Sequence, residues 1–326
     1  MTAAEPSPAD QPSRPSARLA WTIRAIGLLV AAAAITLCGR TLVHSWPEVR
    51  AALADARPLG LVVATTFNAV AMLGLALLWW RCLRLFGSPA KPLDAMGWYF
   101  GGELGKYLPG GVWSVLGRGE LAQRGGGIRR TAGYTTTLIG YGAMVIAAIG
   151  TCGVLVPFAA GGAHGIGWRW SGLILLVPLS ALLVHPAVTA RVFAAGRRVT
   201  HRRVDIVAPR WSAMLRLVAW AVPTWVFLGC AAVAVTGSLS LDQQPARVAL
   251  AAIVAWIIGF LAVPVPAGAG VREIVFVVLC GLPAAPATTV AVLLRAMLIV
   301  VDGLGGMAGL WQSARIIGSG RVVGQS

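Results

Sequence analysis

The chain has 326 residues, 57% of them hydrophobic and only 12% charged, with a mean hydropathy of +0.77. A soluble domain carries about 25% charged residues, so the composition excludes one and reads as an all-α polytopic membrane protein. The net charge of +16 comes from 25 arginines and two lysines clustered between apolar runs. Without an aromatic-basic module beside them, they read as cytoplasmic loops facing anionic lipid rather than as a nucleic-acid surface.

Residues 1–18 are rich in Pro, Ser and Ala and read as a disordered cytoplasmic tail, followed by a single membrane domain over 19–315 and a short tail over 316–326. The first apolar run, about 21–43, is too long for a signal-peptide core and is expected to remain as an uncleaved span. A second span is expected at 60–80, with Trp79 and Trp80 at an interface and Arg81 and Arg84 beyond it.

The window from 96 to 116 approaches the length of a span but is broken. It carries Glu103 and Lys106 at i, i+3 spacing and then Pro109-Gly110-Gly111. Proline removes a donor, glycine frees φ, and irregular backbone at membrane depth is tolerated only where protein or a water-filled cavity covers it. Spans follow at 134–158 and 173–192, the latter punctuated by Pro178 and Pro186. The most basic loop, 190–216, holds seven arginines, and further spans are expected at 217–236 and 248–263.

A second break, from Pro264 and Pro266 through Gly268 and Gly270 to Arg272 and Glu273, leads into a short apolar piece ending near 282. The last span, 288–311, carries Arg295 and Asp302, seven apart and so on one helical face. The architecture expected is a bundle of about seven to eight transmembrane helices, with a re-entrant hairpin at about 96–116 and a broken helix at about 264–282.

Basic residues orient this scheme. With the N-terminus inside and 96–116 re-entering, inner segments hold 17 and outer segments five. A full crossing at 96–116 would place one of its two basic flanks outside, so the bias favours re-entry. The half-span at 272–282 is then expected to complete an eighth, broken crossing and to return the C-terminus inside.

Catalytic signatures are missing. Gly105-Lys106-Tyr107 lacks the Ser/Thr and the upstream glycine of a phosphate loop, and no GxSxG, HExxH or CxxC occurs. The five cysteines read as packing residues and the four histidines as interfacial ones, so no metal, cofactor or enzymatic activity is expected.

The charged residues inside the apolar runs carry the functional reading, because ionisable groups there are expensive. Glu103 and Lys106 read either as an ion pair stapling the hairpin or as a headgroup or proton site. The amides around Gly268 and Gly270 open the short helix at 272 and would attract an anion, or form an ordinary helix start with Glu273 as its capping carboxylate. Arg272 would add charge there. Glu273 is expected to pair with Arg272 or with Lys106, and Arg295 and Asp302 with each other or with the breaks. Gly101/Gly105 and Gly305/Gly309 fit GxxxG spacing and read as packing contacts rather than a dimer motif. Two Pro/Gly-broken elements in separate halves point to a transporter site.

At GELGKYLPGGVWSVLGR (102–118), the basic turn that follows it, VPVPAGAGVRE (263–273) and the Arg295-bearing last span, the chain resembles the membrane region of lysylphosphatidylglycerol synthases. The resemblance covers about 20–315. It implies an eight-crossing bundle with re-entrant elements and a role in moving lipid between leaflets. The full-length synthases continue into an aminoacyltransferase domain. This chain ends at Ser326 without one, so lysine transfer is not expected of it.

The expected function is therefore a translocator of an anionic or polyprenyl-linked lipid in the plasma (inner) membrane. Lys106, Arg118, Arg272 and Arg295, with the amides of Gly268 and Gly270, would hold the headgroup. Glu103, Glu273 and Asp302 would balance charge or carry protons, and Pro109, Gly110, Pro264 and Pro266 would make the breaks. The alternatives are a membrane-embedded lipid-modifying enzyme using Glu103 or Glu273 as base, and a non-transporting partner of a membrane glycosyltransferase.

Overall fold

The structure, a computed structural model, describes residues 56–108, 112–161, 168–185, 209–262 and 266–318, with a few isolated positions between them. The expected first span at 21–43, the tail 1–18, most of the loop 190–208, and Pro109, Gly110 and Pro264 lie outside the described residues. The helices are α1 (Pro58–Leu85), α2 (Pro92–Glu103), α3 (Trp113–Arg124), α4 (Arg130–Gly161), α5 (Leu176–Leu183), α6 (Trp211–Ser238), α7 (Pro245–Leu261), α8 (Val271–Leu279) and α9 (Ala284–Gly318). Short 3-10 turns precede α5 at Trp168–Leu175, follow α2 at Leu104–Tyr107 and precede α8 at Pro266–Gly268.

Local chemistry sets several of these boundaries. Proline sits at the start of α1, α2 and α7, where its missing donor costs nothing. Gly87 and Gly126, at φ +77° and +74°, turn the chain just beyond α1 and α3. Pro178 falls in the first turn of α5, which follows the 3-10 segment and stops at Leu183, ahead of Pro186. α1, α4, α6 and α9 are each long and apolar enough to cross a membrane.

Side-chain and backbone contacts fix the direction of each element. At one end of the bundle, Ser88 Oγ donates to the Gly127 carbonyl at 2.6 Å, Arg81 lies 3.9 Å from the Trp220 ring centroid, Trp211 Nε1 donates to the Ala181 carbonyl at 3.1 Å, and Gln312 Nε2 donates to the Leu93 carbonyl at 3.0 Å. At the other end, the Arg57 amide donates to the Ser238 carbonyl at 2.9 Å and Gln244 Nε2 to the Phe158 carbonyl at 2.5 Å. The first end gathers 81–95, 117–131 and the flanks of 190–216, the three most basic segments, and we call it the basic end.

The Ser88–Gly127 bond shows that the chain returns to the side it left. Helices α2 and α3 run antiparallel, with Gly102 against Arg118 and Gly105 against Ser114, so this stretch is the re-entrant hairpin. The helix expected at 248–263 is present as α7, but α8 does not continue the crossing. Arg272 packs beside Gly259 near the break, while Arg247 Nε donates to the Leu279 carbonyl at 3.0 Å near the helix starts. α8 therefore runs back along α7, and the half-span expected to complete a crossing is the returning leg of a second hairpin. This hairpin enters from the end opposite to the first. α9 passes both, with its later half along α2 and its earlier half beside α8.

The core is aromatic, and lined with glycine where backbones meet. Trp79 is not interfacial as its position suggested; it is buried and donates from Nε1 to Thr137 Oγ1 at 3.0 Å. Trp225 is buried too and donates to the Met144 carbonyl at 3.0 Å. A Cβ on Gly309 would lie 2.5 Å from the Gly97 carbonyl oxygen and 2.7 Å from the Gly101 amide nitrogen, so α9 and α2 cross backbone to backbone. The GxxxG glycines are thus packing contacts within the chain.

Candidate functional site

The turn Leu104–Tyr107 at the tip of the first hairpin touches the turn Pro266–Gly268 at the break of the second. Leu104, Tyr107 and Leu108 form a small apolar cluster with Ile299, and Ala267 packs on it. The two breaks therefore meet beside the middle of α9, the placement expected if they share a site.

On the first hairpin side, four ionisable groups interlock. Glu103 accepts from Arg118 through Oε2 and from Lys106 through Oε1, the latter at 2.9 Å. Lys106 Nζ also lies 2.7 Å from Asp302 Oδ2, which accepts from the Tyr107 hydroxyl at 2.7 Å. Arg118 is 2% exposed and its guanidinium carbon stacks 3.8 Å from the Tyr99 ring centroid. Each charge is matched because an unpaired one in this position would cost several kcal/mol, on the order set by desolvation. Lys106 is therefore paired with Glu103, one of the two readings that their spacing left open, and with Asp302, which reaches the break from α9.

On the second hairpin side the pairing differs. Glu273 pairs with Arg295, not with Arg272 or Lys106. Arg295 and Asp302, though on one face of α9, belong to two separate networks. Arg272 makes no ion pair among the described residues. Its guanidinium carbon lies 4.7 Å from the Trp256 ring centroid, and its buried Nε has no hydrogen-bond partner among the described residues. The carboxylate expected beside it is replaced by an aromatic face, which attracts a cation without neutralising it.

Arg272, Glu273 and Arg295 line a cleft with about 670 Å³ of open space, together with Tyr107, Asn68 and Trp256 and otherwise apolar side chains. Four further polar atoms around it lack hydrogen-bond partners among the described residues: Asn68 Oδ1, Trp256 Nε1, Glu273 Oε2 and Arg295 Nε. Asn68 is buried in the middle of the apolar α1 and was missed in the sequence. Its one signal was a carboxamide in an otherwise membrane-compatible run.

The second break itself is shaped by left-handed backbone. Ala267, Gly268 and Gly270 have φ of +50°, +67° and +80°. The close approach lies at Gly268, where a Cβ would sit 2.5 Å from the Gly259 carbonyl oxygen. At Gly270 a Cβ would meet open space, so its requirement is conformational only. Gly270 is the N-cap of α8, whose first-turn amides lack intrahelical acceptors. Ala267 and Arg272 both line the cleft, which puts the start of α8 at its wall.

The site thus joins four cations, Lys106, Arg118, Arg272 and Arg295, and three carboxylates, Glu103, Glu273 and Asp302, with one positive charge in excess. A comparison with curated proteins finds no match. The family model of the lysylphosphatidylglycerol synthase TM region matches residues 24–306, a stretch that takes in both breaks and every charged residue of this site, and the chain belongs to that family.

Proposed function

We propose that the chain moves a phosphate-bearing lipid between the leaflets of the plasma membrane, and that Arg272 holds the phosphate during passage. The observation that carries this reading is an arginine, without an ion pair among the described residues, at the wall of a largely apolar cleft. Burying such a cation is costly unless an anion completes it. One excess positive charge matches the single negative charge of a phosphodiester, in an anionic phospholipid or in a polyprenyl-linked lipid. The start of α8 at the cleft wall adds oriented amides of the same sign. The family's membrane-lipid role supports a lipid as the ligand. The basic end is read as cytoplasmic, and the basic residues ahead of the span expected at 21–43 favour the same side for the N-terminus.

The test is movement of a fluorescent phospholipid in reconstituted vesicles. Arg272→Gln is expected to weaken it about ten- to hundred-fold, the equivalent of one charge-assisted contact. Arg272→Lys, a point charge without the planar fork, should keep part of the activity if one contact suffices. Unchanged movement in a well-folded Arg272→Gln protein overturns the phosphate assignment. A chemically altered lipid would make the chain a lipid-modifying enzyme. Neither movement nor alteration would leave a non-transporting partner, for instance of a membrane glycosyltransferase.

A further inference from the structure

The two hairpins belong to a repeat that runs in opposite directions. A 28-residue helix, a hairpin and a long helix occur twice, as α1, α2–α3, α4 and as α6, α7–α8, α9. Corresponding elements begin at 58 and 211, 92 and 245, and 130 and 284, which are 153, 153 and 154 residues apart. Prolines 92 and 245 open the two hairpins. α1 and α6 pack antiparallel along the join, with Gly60 against Ser238 and Gly74 against Thr224.

The correspondence reaches single residues. In the first hairpin, Tyr99 is followed three residues later by Gly102. In the second, Trp256 is followed three residues later by Gly259, one helical turn further along the longer α7. In each, an arginine from the returning helix lays its Cγ against that glycine and its guanidinium on that aromatic ring: Arg118 in one, Arg272 in the other. Arg118 also lines a second, much narrower cavity, with room for little more than a water molecule, between its hairpin and α1 and α4. Its buried Nε has no hydrogen-bond partner there among the described residues. This cavity lies in the half of the bundle nearer the basic end, and the 670 Å³ cleft lies in the other half.

We infer that Arg118 forms a second phosphate site, the inverted counterpart of the Arg272 site, which opens toward the basic end when the cleft at Arg272 closes. In the present state Glu103 fills the place of the anion on Arg118. In the exchanged state Glu103 stays with Lys106 and releases Arg118 to the lipid phosphate. Inverted repeats around a central site are the known physical basis for such an exchange. The ligand class rests on the translocation reading, but the test below reads geometry without any transport measurement. Failure of one is therefore distinguishable from failure of the other.

The experiment uses single reporter cysteines in a protein whose five native cysteines are replaced. Ala255→Cys reports on the cleft, which it lines. Gly140→Cys reports on the second cavity, where an added Cβ has room, its nearest neighbour being the sulfur of Cys82 at 3.7 Å. A thiol reagent is expected to modify Ala255→Cys faster than Gly140→Cys. Adding Glu103→Gln, which frees Arg118, should invert the order: Gly140→Cys should speed up and Ala255→Cys slow down, each by about ten-fold. Both rates rising together means general loosening and overturns the inference, as does no change in a folded protein. Where Glu103→Gln folds poorly, the slow labelling of Gly140→Cys with Glu103 intact gives the answer. Dioctanoyl phosphatidylglycerol should slow that labelling, and labelling that this lipid leaves unchanged overturns the second site.

Discussion

At the scale of single residues, the site is an exercise in matching charge where water is scarce. Glu103 serves both Arg118 and Lys106, while Asp302 serves Lys106 and the Tyr107 hydroxyl. Asp302→Leu leaves two cations on one carboxylate and should destabilise the protein by about 3–5 kcal/mol, the cost of breaking a buried pair. Lys106→Met leaves Asp302 with a hydroxyl alone and should also destabilise. The double variant removes both partners and keeps Glu103 with Arg118 one to one. Its thermal midpoint in detergent should exceed that of the Asp302→Leu variant, and a midpoint no higher than the worse single would contradict this coupling. The sequence displayed every one of these charges but not the pairing. Seven-residue spacing put Arg295 and Asp302 on one face, yet about 10 Å of helix rise separates them, enough to reach different hairpins. The ring that takes Arg272 in place of a carboxylate, Trp256, lies 16 residues away on another helix and had no local signal.

Helices α2 and α9 show what the glycines do at the scale of elements. An atom added at Gly309 would press on backbone, which has no rotamer by which to yield. Gly309→Ala should therefore force the helices apart at a cost of about 1–3 kcal/mol. At Gly303, on the same helix, an added Cβ meets nothing within 4 Å. Gly303→Ala should be neutral or stabilising by up to about 1 kcal/mol from helix propensity. Thermal midpoints of the two variants test the contrast, and equal effects would refute a packing role. The long helices were legible because an apolar run of this length has few alternatives. The first hairpin was legible because Glu103, Lys106 and a Pro-Gly break fall inside such a run. The second was half legible. Its break at 264–273 was plain, but whether α8 continues or returns is decided by contacts between Arg247, Leu279, Gly259 and Arg272 that no periodicity encodes.

For the whole molecule, two hairpins entering from opposite ends leave the connecting segments on predictable sides. The hydrogen bond from Ser88 to Gly127 puts the flanks of the first hairpin together at the basic end. The contact between Arg247 and Leu279 puts those of the second together at the other. Ser88 is buried, so it is a poor reporter, whereas Pro89, Arg129, Asp242 and Pro283 are exposed. With the native cysteines replaced, cysteines at Pro89 and Arg129 should share one compartment and cysteines at Asp242 and Pro283 the other. The bias of 17 basic residues to five assigns the first pair to the cytoplasm. An impermeant thiol reagent applied to intact cells should then modify Asp242→Cys and Pro283→Cys and spare Pro89→Cys and Arg129→Cys until the membrane is opened. Each hairpin is tested separately by this set. Labelling of Arg129→Cys without Pro89→Cys would mean that 92–124 crosses the membrane. Labelling of only one of Asp242→Cys and Pro283→Cys would mean that 245–279 does. Labelling of the first pair with protection of the second would keep both hairpins and invert the protein in the membrane, placing the open cleft at Arg272 in the cytoplasmic half.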